Sequence, residues 1–114
     1  MEAGNIVLFK FPQTDLEKGK LRPALVISKV PGKYRDWLIC MISTQKHQIQ
    51  KNYDIIISKK SPEFNSTGLK SESVIRTTRL AVVSEDILLG SIGKISKKLL
   101  KEIRKNISNW ITAE

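Results

Sequence analysis

Up to residue 95 the chain alternates short apolar runs with polar, turn-rich stretches, and only then does its period change. Asn5–Phe11 is apolar apart from Lys10 and predicts a first strand that Pro12 closes. Gln13–Lys20, polar and containing Gly19, reads as an exposed hairpin loop. Lys20-Leu-Arg-Pro-Ala-Leu-Val-Ile-Ser28 predicts a buried second strand, with Pro23 at its first position or on an edge because proline donates no amide hydrogen. Pro31-Gly32 marks a turn, and Trp37–Ser43 predicts the third strand. After polar Lys46–Asn52 comes Tyr53–Ser58, a short β-branched strand, and Lys59–Lys70 reads as a loop from Pro62, Asn65, Ser66, Thr67 and Gly68. Ser73–Thr78 predicts a fifth strand. Leu80–Val83 either continues it after a bend or pairs with Leu88 onward, and Ile87–Ile95 predicts a short strand broken by Gly90 and Gly93.

From Ser96 the spacing becomes helical. Serine is a good N-cap, and Leu99, Leu100, Ile103, Ile107, Trp110 and Ile111 form one apolar stripe. The other face carries Lys97, Lys98, Lys101, Glu102, Arg104 and Lys105. Lysines in the first turn oppose the helix dipole, so helix stability does not explain them. They read either as a solvated face or as a surface for an acidic or nucleic-acid partner. Several short strands followed by one packed helix predict a mainly β fold: a small β-barrel or tight sandwich with a C-terminal α-helix, as a single domain over residues 1–114.

Charge narrows the class of partner. The net charge is +9 over 114 residues, which favours a polyanion. No run is long enough to span a membrane, and the N-terminus has no basic segment of the kind that opens a signal peptide. The single cysteine, Cys40, lies inside an apolar run and reads as a buried structural thiol in a reducing cytoplasm. With one histidine, His47, and one cysteine, no cluster has metal-ligand spacing, and His47 reads as a solvated loop residue.

The candidate chemistry therefore sits at strand ends: Arg22 before one strand, Ser43 and Thr44 after another, and Arg76, Thr77, Thr78 and Arg79 at the end of a third. Pro23 biases Arg22 toward an extended backbone. A guanidinium at a rigid strand mouth suits a phosphate, although a solvated strand-end cation has the same local sequence. Arginines and hydroxyls converging on one barrel rim would form a phosphate-binding surface. Such a surface can cleave RNA without a metal, because RNA carries its own nucleophile, the 2′-hydroxyl.

The order of motifs is similar to that of the PemK/MazF toxins of type II toxin–antitoxin systems. The likeness runs through Asn5-Ile-Val-Leu-Phe-Lys-Phe-Pro-Gln-Thr-Asp-Leu16, Lys20–Ser28, Ile42-Ser-Thr-Gln45, Gly68-Leu69, Ser73-Val-Ile-Arg76 and Ile92-Gly-Lys-Ile-Ser96. The resemblance implies an SH3-like barrel, a homodimer, and a sequence-selective endoribonuclease that cleaves single-stranded mRNA with no metal or other cofactor. It also implies an antitoxin whose acidic, flexible segment occupies the RNA groove.

Carried over by position, Arg22 matches the arginine assigned to transition-state stabilisation or acid–base work. Ser43 falls at a catalytic-site threonine, and Arg76 at an arginine near the scissile phosphate. Lys20, Thr44, Gln45, Thr78 and Arg79 are the expected RNA contacts. Two positions depart from the pattern: Asn5 stands where many members have an acid, and Thr78 where some have a functional aspartate. Asp15 and Glu17 are candidate substitutes. The departures favour the alternative reading of a catalytically degenerate member that binds RNA or an acidic partner. A sister family that poisons DNA gyrase on a similar barrel gives a third.

Overall fold

The computed structural model describes residues 1–10 and 21–113. Six strands form one antiparallel sheet: β1 (Asn5–Lys10), β2 (Leu21–Lys29), β3 (Asp36–Ser43), β4 (Ile55–Ile57), β5 (Ser73–Ser84) and β6 (Ser91–Lys94). The spatial order is β4-β5-β3-β2-β1-β6, and the sheet curls into a half-barrel. A short helix α1 (Phe64–Thr67) precedes β5, and α2 (Lys97–Thr112) ends the chain. The expected mainly β fold with a C-terminal helix is the one observed. No helix among the described residues is long and apolar enough to cross a membrane.

β2 is apolar on both faces because both are covered. Leu25 and Ile27 join Ile6, Cys40, Ile42, Ile57 and Ile75 against Leu100, Ile103 and Ile107 of α2. Ala24 and Val26 join Val7, Phe9, Trp37, Ile39 and Leu88 on the other side. The Ala-Leu-Val-Ile run therefore lacks the alternation of a strand with one wet face. Cys40 is fully buried, and burial, with the Asp54 carboxylate adding to it, pushes its thiol far above the ordinary range. At neutral pH it is a small apolar side chain.

Several expectations need correction. Pro23 is the third residue of β2, a strand flanked by β1 and β3, and lies opposite Leu8. It is tolerated because the β2–β3 ladder stops beside it, at Ala24 opposite Met41. The Val26 carbonyl accepts from Gly4 on the β1 side, so by alternation the Pro23 nitrogen faces β3, where no donor is missed. β4 is only Ile55–Ile57, and the stretch before β6 is a 3₁₀ turn, Glu85–Ile87, rather than strand. Leu80–Val83 continues β5 past a bulge. The hairpin loop expected over Gln13–Lys20 lies outside the described residues, as do Asp15 and Glu17.

Lys59–Lys70 holds α1, whose polar composition hides a helix that tertiary contacts support. Ser66 Oγ shares its hydrogen between the Glu63 carbonyl (2.9 Å) and the Lys94 carbonyl (3.2 Å), and Glu63 accepts from the Ser96 amide (2.8 Å) and hydroxyl. Ser96 Oγ in turn accepts from the Leu99 amide, the N-cap expected of it. Arg104 is exposed, as expected of the outer face, and its Nε and Nη2 also both donate to the Ile27 carbonyl (3.0 and 2.7 Å).

The approach of α1 to β6 requires glycine. A Cβ on Gly93 would lie 2.3 Å from the Thr67 carbonyl carbon and oxygen, and one on Gly68 (φ +72°) would lie 2.1 Å from the Ile92 carbonyl oxygen. Both obstacles are backbone and cannot rotate away. Gly93→Ala is therefore expected to cost about 3 kcal/mol, the upper end for overpacking, read as a lowered midpoint in urea unfolding.

Candidate nucleic-acid site

The sheet register brings the strand-end residues to one face. Ala24 pairs with Met41, and Met41 with Arg76. Continuing the β2–β3 register two places sets Arg22 across from Ser43, which itself pairs with Val74. Residues directly opposite on neighbouring strands point to the same side, as do residues two apart on one strand. Arg22, Ser43 and Arg76 therefore share the face turned away from α2. Phe9 and Val74, both buried, flank them in the same row. Pro23 matters here. The β2–β3 ladder stops beside it, at Ala24 opposite Met41, and Arg22 and Ser43 lie just beyond that end.

Both of these residues are half-buried, while Thr44 and Gln45 continue from β3 fully exposed. Ser43 Oγ accepts from the Gln45 amide (3.0 Å). This local turn fixes the oxygen and leaves the hydroxyl hydrogen to donate outward. Lys20 lies outside the described residues.

Arg76 is built differently. Its side chain is 9% exposed, and its Nε donates to Asp54 Oδ2 at 3.0 Å, where the Asp54 side chain is fully buried. Asp54 Oδ2 also accepts from the Gln50 amide (2.9 Å), and Oδ1 from the Thr77 amide (2.9 Å); the Thr77 hydroxyl lies between Oδ1 (3.3 Å) and the nearer Tyr53 carbonyl (3.1 Å). Three N–H donors satisfy a carboxylate that burial would otherwise penalise heavily. The Thr77 carbonyl takes the Trp110 indole N–H (3.0 Å), and the Tyr53 carbonyl takes Asn106 Nδ2 (2.9 Å). The network binds the segment before β4, strand β5 and helix α2 together.

β5 bulges at this point. Cys40 pairs with Leu80 and Met41 with Arg76, so Thr77, Thr78 and Arg79 have no partner on β3. Thr77 is buried in the network, while Thr78 and Arg79 turn progressively outward. The register thus sets Arg22 across from Ser43, places Thr44 and Gln45 at their rim, and puts Arg76, Thr78 and Arg79 on β5, one strand from Ser43 and two strands from Arg22. The latter separation is about 9.5 Å across the sheet.

Sequence reasoning missed Asp54, although an acid directly before Ile55-Ile-Ile57 in a chain with Arg76 inside an apolar strand was a signal for a buried pair. It also missed Glu72, which precedes β5 two residues from Val74 and pairs with Lys46. The hydrogen bond and charge of Lys46, helped by Lys59, hold the Glu72 carboxyl below the usual carboxylate range.

A family model of PemK-like, MazF-like toxins of type II toxin–antitoxin systems matches residues 2–111. No curated protein matches the chain in sequence. Among solved structures the fold is similar to Mycobacterium tuberculosis toxin MazF-mt6, at 15% identity and TM-score 0.68, covering 96% of this chain and 98% of that one. It is also similar to MazF from Deinococcus radiodurans, at 18% identity and TM-score 0.69, covering 99% and 97%. The MazE-MazF structure from the same organism matches at 16% identity and TM-score 0.69, covering 100% and 97%.

Two measurements test this geometry. Asp54→Ala removes the buried carboxylate that accepts from Arg76 Nε and from the Gln50 and Thr77 amides and is expected to cost about 3–5 kcal/mol of unfolding free energy; Asp54→Asn should cost less. The Glu72 titration, followed by carboxyl NMR, should have its midpoint below the usual carboxylate range and move upward in Lys46→Ala. With that depressed value, the stabilising contribution of the pair is present at neutral pH and lost as pH falls through the folded midpoint.

Proposed function

This chain belongs to the family of PemK-like, MazF-like toxins of type II toxin–antitoxin systems, and on that premise we propose that it is a metal-independent endoribonuclease that cleaves single-stranded RNA. In this reading it works in the cytoplasm as a homodimer and is silenced by an acidic antitoxin. The observation that supports the reading most is that the sheet register puts Arg22 and Ser43 on one face, just beyond the end of the β2–β3 ladder. The net charge of +9 suits both RNA and an acidic antitoxin segment. Ile87 and Leu89, exposed on either side of buried Leu88, supply apolar surface for a second copy.

In the proposed reaction the 2′-oxygen of one nucleotide attacks its own 3′-phosphorus. The 2′-O–P bond forms and the P–O5′ bond breaks. The 2′ proton passes to a base, and the leaving 5′-oxygen takes up a proton. The products are a 2′,3′-cyclic phosphate and a 5′-hydroxyl. Arg22 stabilises the charge that gathers on the phosphoryl oxygens, and Ser43 donates its hydroxyl hydrogen to one of them. Thr44, Gln45, Lys20, Thr78 and Arg79 hold the strand on either side. Arg76 supports the site from beneath, because its guanidinium is committed to Asp54. Asp54 is engaged by Arg76 and by the Gln50 and Thr77 amides beneath the site, so the base role falls to Asp15 or Glu17.

Incubation of a long single-stranded RNA with the purified protein in EDTA tests the reading. The wild type should produce discrete cuts. Arg22→Ala should lower the cleavage rate by 100-fold or more, as for loss of a preorganised charge-stabilising group, with an unchanged unfolding midpoint. Ser43→Ala should lower the rate less, and Ser43→Thr should restore it. Intact RNA with a folded, RNA-binding wild type would instead establish the non-enzymatic binding module.

A further inference from the structure

The outward face of α2 carries a cationic ladder that the candidate site does not use. Lys97, Lys101 and Lys105 stand four residues apart, which is about 6 Å of rise per step, and Lys98 lies between the first two rungs. All four are exposed, and among the described residues none forms an ion pair. Ser108, Asn109 and Thr112 complete the same wedge of roughly 120° at 3.6 residues per turn, so it is polar throughout. Arg104 lies beside the wedge and is engaged with the Ile27 carbonyl.

This arrangement works against the helix that bears it. Lys97 and Lys98 occupy the first turn, where the dipole favours anions, and no acid is present there. The 97–101 and 101–105 pairs are like charges at helical spacing, which destabilise one another. Glu102 is the only acid on the outward side of the helix.

We propose that this face is a second, sequence-independent docking surface for the sugar–phosphate backbone of RNA, on the opposite side of the sheet from Arg22 and Ser43. The chemistry selects the partner. A protein partner is anchored by aromatic or aliphatic side chains, and lysine is depleted at such interfaces. Phosphate oxygens are instead taken by lysine, serine, threonine and asparagine, the composition of this wedge. The placement also separates two tasks. Leu100, Ile103 and Ile107 hold α2 against the face that includes Leu25 and Ile27, whereas Arg22 and Ser43 lie on the other. The ladder therefore adds affinity for long RNA without touching the phosphate at the candidate site. The surface stands on charge and geometry alone and does not require that the RNA be cut.

The test uses the full chain with Lys97, Lys101 and Lys105 all changed to Gln, and a single-stranded RNA bearing 2′-O-methyl riboses so that it cannot be cleaved. Removing three phosphate contacts at about 0.7 counterions each should reduce the slope of log affinity against log salt by about 2. Affinity at low salt should fall at least tenfold. The melting temperature should stay the same or rise, because repulsive pairs have been removed. A control with Lys33, Lys51 and Lys60 changed to Gln alters net charge equally elsewhere and should lose less. An unchanged slope, or an equal loss in the control, overturns the proposal. So does a variant that loses polyglutamate binding while keeping its RNA affinity. Should the triple variant fail to fold, acetylation of the wild type decides: bound RNA should shield Lys97, Lys101 and Lys105, and their full reactivity in the complex overturns it.

Discussion

The buried Asp54 carboxylate is the interaction on which the other parts of this molecule depend. Its side chain has no access to water and sits beside a guanidinium that is almost as deeply placed. Neither group could be tolerated alone in an apolar half-barrel. Together, and with amides from Gln50 and Thr77, they become a fixed point in the sheet. The β5 bulge follows from it, because the Thr77 amide is turned toward Asp54 and out of the ladder with β3. The seat of α2 follows as well, through Trp110 on the Thr77 carbonyl and Asn106 on the Tyr53 carbonyl. One polar cluster thereby couples the candidate site face to the helix on the other side.

A second constraint shapes the site itself. Pro23 sits inside a flanked strand, beside the end of the β2–β3 ladder. The pairing of β2 with β1 runs on through Arg22 and Leu21, while its ladder with β3 stops at Ala24. Arg22 is thus anchored on a stiff element while its neighbour across the gap, Ser43, is fixed by its own turn to Gln45. A charge and a hydroxyl donor held on separate strands suit a phosphate placed between them.

Much of this was legible from the pattern of residues. The strands β1, β2 and β3 are marked by apolar runs bounded by proline and glycine, and α2 by its stripe and Ser96. What escaped had a physical cause in each case. Helix α1 is polar and four residues long, and it holds its place through contacts with β6 and Ser96 that local composition cannot reveal. The position of Pro23 depended on where a neighbouring ladder stops, which is a long-range fact. Arg76 read as a strand-end cation because its partner, Asp54, lies 22 residues earlier in the chain. The bond from exposed Arg104 to the Ile27 carbonyl escaped because a helical wheel carries no information about a strand carbonyl within reach. The shared face of Arg22 and Ser43 required only the register, and the motif order pointed to it.

The central claim is that the RNA supplies its own nucleophile to a site built from arginine and hydroxyl groups. Its most direct test is a synthetic RNA carrying a single 2′-deoxyribose immediately 5′ of the mapped scissile phosphate, incubated with the protein in EDTA. The account predicts that cleavage at that position disappears while binding persists, and that the all-ribose RNA leaves a 2′,3′-cyclic phosphate and a 5′-hydroxyl. Continued cleavage of the deoxy-substituted strand at that position would contradict it.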